Sequence, residues 1–105
     1  METKSEAVVA KFPLGMVFVT PAAERELTPL DVISGLKRHA RGDWGEIPEE
    51  DREENEVALR EGYQLISAYR GSSGIPFWIV TELDRFVTTV FLPAGYRNGV
   101  QRNLC

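Results

Sequence analysis

The feature that most constrains this chain is a change of period at Tyr63. Before it, apolar residues recur at helical spacing. After it they alternate, so that Tyr63 to Arg70, Ile75 to Thr81 and Phe86 to Leu92 read as three strands. The connections Gly71-Ser72-Ser73-Gly74 and Glu82-Leu83-Asp84-Arg85 are too short for a crossover and therefore join antiparallel neighbours. A C-terminal three-stranded meander follows, ended by Pro93-Ala94-Gly95. Such a sheet has an apolar face that something must cover.

The first half of the chain supplies the cover. Gly15 to Thr20 is a compact β-branched and aromatic run, expected as a first strand that covers a sheet edge. Thr20-Pro21 and Thr28-Pro29 each place an N-cap residue before a first-turn proline, opening one short helix to about Glu26 and a longer one to Ala40. Along the longer helix, Leu30, Ile33, Leu36, Lys37 and Ala40 share helical spacing, and so do Val32, Leu36 and His39. Gly42 suits a left-handed cap. Ile47-Pro48 starts a third helix whose Glu49, Glu50 and Asp51 favour the positive end of the helix dipole and whose inner stripe is Asp51, Asn55, Ala58 or Leu59, and Gly62. The expected fold class is therefore α+β in the order β-α-α-α-β-β-β, with helices packed on one face of a small antiparallel sheet. A single domain spans residues 14–96, preceded by an arm at 1–13 and followed by a flexible tail at 97–105.

A chain of 105 residues, 43% apolar and 27% charged, has the length and composition of one globular domain. Twelve basic residues against sixteen acidic ones leave a net charge of −4, which disfavours nonspecific binding to nucleic acid or anionic membranes without excluding a local basic face. The segment from Glu46 to Glu61 is itself −6, so the remainder is +2. No apolar run approaches the roughly 20 residues that span a bilayer. One cysteine, Cys105, forms no internal disulfide, and a cytoplasmic location is expected.

Chemically unusual residues concentrate in Lys37 to Gly45, which includes the one histidine. His39 has the intrinsic pKa of a proton-transfer group, yet a histidine in a last helical turn also suits a purely structural role against the helix dipole. Arg38 and Arg41 could hold an anion beside it. Asp43 could orient the imidazole or simply organise a turn. Trp44 could stack a base or anchor two helices. Asn55, on an inner helical stripe, is expected to clasp the Gly42 to Gly45 turn. On the sheet, Tyr69 shares a strand face with Ser67, and Arg70 and Arg85 are candidate phosphate ligands. One histidine with one terminal cysteine makes no usual zinc site, and neither a phosphate loop nor a nucleophile elbow is present, so no metal or cofactor is expected.

The motifs Arg38-His39-Ala40-Arg41-Gly42-Asp43-Trp44-Gly45, Asp51 to Asn55, Leu65-Ile66-Ser67-Ala68-Tyr69, Trp78-Ile79-Val80-Thr81-Glu82-Leu83-Asp84-Arg85 and Thr88 to Pro93 with Tyr96 resemble a family of small bacterial proteins of unknown function. That family is often carried on plasmids and other mobile elements. The resemblance spans about Leu14 to Tyr96. In element order, with a helical histidine and a strand arginine, the chain is also similar in architecture to the barnase, colicin and RelE-like ribonucleases.

Three functional expectations follow. The first is a non-enzymatic domain that binds protein or pairs with its own copy as a homodimer, using a sheet edge and aromatics such as Phe77, Trp78, Phe86 and Phe91. The second is a metal-independent RNA endonuclease of toxin type, with His39 as acid or base, Arg70 and Arg85 stabilising phosphate charge, and Trp44 or Tyr69 stacking a base. The third is a phage-defence or counter-defence protein whose acidic helix mimics nucleic acid.

Overall fold

The computed structural model describes residues 10–93. Their elements are β1 (Met16–Val19), α1 (Pro21–Glu26), α2 (Pro29–Ala40), α3 (Glu49–Glu61), β2 (Leu65–Arg70), β3 (Pro76–Thr81) and β4 (Val87–Phe91). The class is α+β, in the expected order. The meander forms as expected, with β3 antiparallel to both β2 and β4. The sheet as a whole is mixed rather than antiparallel, because β1 lies parallel to β4 in the order β1-β4-β3-β2. Three helices intervene between β1 and β2, enough chain to carry β1 past the meander and set it parallel at the far edge.

Local chemistry starts the helices where the sequence indicates. Thr20 Oγ1 accepts from the Ala23 N–H at 3.2 Å. Thr28 and Asp31 form a reciprocal capping box, each side chain accepting the other's backbone N–H at 3.0 and 3.1 Å. Asp31 also accepts from the Ser72 N–H at 2.9 Å, which ties the start of α2 to the β2–β3 loop. Gly42 and Gly62 take left-handed conformations after α2 and α3, with φ of 83° and 89°.

The face of α2 turned to the sheet is Val32, Gly35, Leu36 and His39, whereas Leu30 and Ile33 are exposed. Of the two overlapping stripes, the one through Val32 and His39 is therefore buried. Gly35 decides the closeness of approach: a Cβ there would stand 2.8 Å from Phe77 Cε2. Alternation along the strands buries Leu65, Ser67, Tyr69, Phe77, Ile79, Thr81, Thr88 and Val90 against the helices.

Two apolar clusters make the core. One joins Ala23, Leu27, Tyr69, Phe77, Ile79 and Val90, and the other joins Phe12, Trp44, Ala58 and Leu65. Phe12 corrects the expected arm. Its ring stacks at 6.3 Å from Trp44, and the neighbouring Lys11 N–H bonds Ala40 O at 2.7 Å, so the packed domain begins before Leu14. Residues 1–9 of that arm and the tail at 97–105 lie outside the described residues.

Candidate functional site

His39 is fully buried beside the second cluster, edge-on to Phe12 at 5.2 Å and to Trp44 at 5.8 Å. Its two ring nitrogens face the buried hydroxyls of β2 and β3: Nδ1 is 2.6 Å from Ser67 Oγ and Nε2 is 2.9 Å from Thr81 Oγ1. Thr81 Oγ1 is in turn 2.7 Å from Thr88 Oγ1, which donates to Leu14 O at 2.6 Å.

That last bond sets the direction of the whole chain. Thr88 has one hydroxyl proton and spends it on Leu14 O, so it must accept from Thr81. Thr81 must then accept from His39 Nε2–H, and Nδ1, left with its lone pair, accepts from Ser67. Every polar atom of the imidazole is satisfied in the neutral Nε2–H form. Burial, and secondarily the nearby Arg85 guanidinium, lowers the His39 pKa from 6.5 to about 3. This is the geometry of a core histidine, with no exposed nitrogen to exchange a proton with a substrate.

The other proposed catalytic residues do not bond to it. Arg85, at the β3–β4 turn with a positive φ of 65°, donates to Tyr63 O at 2.7 Å, Ala58 O at 3.0 Å and Glu82 O at 3.2 Å. It ties the turn to the end of α3 and packs 5.7 Å above the Phe12 ring. Arg70 points to the opposite face of the sheet from His39, paired with Glu46 at 3.2 Å. His39, Arg70 and Arg85 thus do not converge on one cleft.

Around the α2 terminus the expected anion site is filled internally. Asp43 does not orient His39; it takes two bonds from Arg38, at 2.7 and 3.2 Å, and accepts from the Gly45 N–H at 3.3 Å. Those bonds hold its carboxyl below the ordinary aspartate range. The Arg38 guanidinium lies 4.5 Å over the Tyr69 ring, and the buried Tyr69 hydroxyl donates to Asp43 O at 2.6 Å. Burial pushes the Tyr69 phenol up. Arg41 is exposed at the helix end. Trp44 is buried and donates to Glu56 at 2.8 Å, which makes it the anchor between α2 and α3 rather than a stacking platform.

Asn55 corrects a second expectation. It clasps β2, not the Gly42 to Gly45 turn: Nδ2 donates to Ile66 O at 2.7 Å, and Oδ1 accepts from the Ile66 N–H at 3.2 Å. Beside it, Ala68 N–H donates to Trp44 O at 3.1 Å and Glu46 N–H to Ala68 O at 2.7 Å. Gly45 carries this bridge. Its φ is +79°, and a Cβ would meet Ala68 O at 2.0 Å. The outward backbone groups of Ile66 and Ala68 are therefore all paired, and the β2 edge is closed there.

What the described residues leave uncovered is the outer face of the sheet. Met16, Phe18, Trp78 and Phe91, with half-buried Ile66 and Val80, form it. Met16 is 64% exposed, Phe18 50% and Trp78 40%, and Trp78 meets Phe91 edge-on at 5.9 Å. Phe77, expected among these aromatics, instead lies in the core. At the β2 side, Trp78, Pro76, Ile66, Ile47, Arg70 and Glu46 line a cleft of about 310 Å³. Of the acidic residues of α3, Asp51 lines this cleft as well, and Glu50, Glu53 and Glu54 border a separate groove with Val57 and Tyr63.

Among the described residues no group of three or more acidic, histidine or cysteine side chains is placed to hold a metal ion. No helix of theirs is long and apolar enough to cross a membrane. Comparison with protein-family models, with curated proteins and with solved structures finds no match to this chain.

Proposed function

We propose that this protein is a non-enzymatic binding domain whose outer sheet face docks an apolar protein surface. The observation that carries the reading is that face, with three large apolar side chains at least 40% exposed on one side of a sheet whose β2, β3 and β4 strands bury their other side against the helices. Large apolar side chains exposed together on one face mark interaction sites. The distribution of polar chemistry supports the same reading. His39, Asp43, Trp44, Asn55 and Arg85 are each engaged in bonds that hold the fold, which leaves the ribonuclease reading without the accessible histidine it relies on.

A photo-crosslinking amino acid at position 78, introduced into the full chain in the producing cell, tests this. A covalent adduct from position 78, and none from the exposed helical position 30, is expected; its mass separates a second copy from another protein. Equal or absent adducts at both positions would contradict docking on the outer face.

A further inference from the structure

The two edges of the sheet are treated differently. The β2 edge is closed at Ile66 by Asn55 and at Ala68 by the Trp44 to Glu46 segment. At the β1 edge, Met16 N–H bonds Phe86 O and Thr20 N–H bonds Val90 O, so the even-numbered residues of β1 face β4. The N–H and C=O groups of Val17 and Val19 consequently point away from the sheet. Among the described residues nothing pairs with them.

Natural sheets blunt an edge with charges, prolines or bulges. This one has none within the strand, which reads Met16-Val17-Phe18-Val19, with Met16, Val17 and Phe18 64%, 40% and 50% exposed. The geometry points to β1 as a pairing edge for a second copy of this chain, β1 against β1 in antiparallel register about a two-fold axis at Phe18. In that register Val17 of each copy exchanges both backbone bonds with Val19 of the other. Phe18 then faces its symmetry mate as a non-hydrogen-bonded pair, with Cα atoms about 4.5 Å apart on the outer face.

Three observations favour a second copy over a different protein's strand. From Phe12 to Ala23 the chain has no charged residue, so two molecules of net charge −4 meet where neither opposes the other. Pro13 and Pro21 bracket the strand, which limits register slip to a short, self-complementary segment. Each copy also has one open edge and one closed edge, so association of this kind ends at two. The exposed side chains of Met16, Val17 and Phe18, with Phe86 at the start of the pairing, offer on the order of 400 Å² per copy, about 800 Å² in total, which suits a weak, concentration-dependent pair held largely by its backbone bonds. All helices then lie on one side of an eight-stranded sheet, and the two outer faces become one continuous platform.

This deepens the binding reading and rests on it, and the two fail separately. Phe18→Cys in a Cys105→Ser chain should form an intermolecular disulfide under mild oxidation, because the paired Cβ atoms fall within disulfide reach. Trp78→Cys in the same background should not. Val17→Pro removes only an outward N–H, at a position where an edge strand tolerates proline. Light scattering should show its dimer weakened at least tenfold while its circular dichroism and melting stay those of a folded chain. Crosslinking through position 78 and not 18, with Val17→Pro still dimeric, overturns the edge pairing and leaves docking on the face intact. A chain of single-copy mass that forms no disulfide at either position overturns the proposal as well.

Discussion

At the residue scale, His39 is held in one protonation state by the direction of its hydrogen bonds, and this has a measurable consequence. The unfolded chain takes up a proton at His39 below about 6.5, whereas the folded chain does so only near 3. Between those values the unfolded state holds more protons, so stability falls as pH drops through that window, by up to roughly 1.4 kcal/mol per pH unit, and this group adds nothing further above it. Urea unfolding is therefore expected to lose about 2 kcal/mol between pH 7 and pH 5 from this residue. Asp43, depressed by Arg38, contributes stability that disappears only at more acid pH. An unfolding midpoint unchanged between pH 7 and pH 5 would contradict the buried relay. Part of this was legible in the sequence. The i, i+4, i+7 spacing of Val32, Leu36 and His39 puts the ring beside a buried stripe, and period two puts Ser67 on the same face as Tyr69. That Thr81 and Thr88 face the core was obscured by their type, since threonine is as common on solvated strands as on buried ones.

Elements were legible where each is encoded by its own neighbours. The capping box at Thr28 and Asp31, the Gly-Ser-Ser-Gly connection and the alternation of β2, β3 and β4 are local signals, and all appear in the structure within a residue or two. Contacts formed across long sequence separations were not legible. The parallel pairing of β1 with β4 depends on the path of three intervening helices. Phe12 is a lone aromatic before a proline, with no periodic context to mark it as core. Asn55 announces itself as a polar residue on an inner stripe, but its partner, the backbone of Ile66, is fixed only once α3 lies along β2. Its role gives a prediction at this scale. Asn55→Ala strands one donor and one acceptor of a partly buried strand edge and is expected to cost about 2 kcal/mol. Amide exchange at Ile66 should accelerate, while Ala68 stays paired with Trp44 and Glu46. A variant as stable and as protected at Ile66 as the parent chain would show that the clasp is incidental.

At the scale of the whole molecule, among the described residues the polar groups of His39, Asp43, Asn55 and Arg85 bond within the fold, while exposed apolar side chains gather on the outer sheet face and along β1. The candidate catalytic set, chosen for residue type, separates in three dimensions because His39 and Arg70 occupy opposite faces and Arg85 binds the carbonyls at the end of α3. Alternation alone places Ser67 and Arg70 on opposite faces, but not which face the helices would cover. We propose that this protein works by association and that its fold limits that association to a closed pair. Sedimentation equilibrium of the full chain across a wide concentration range tests it most directly. The expected mass rises to that of two copies and stays there. A mass of one copy throughout, or one that keeps climbing with concentration, would contradict it.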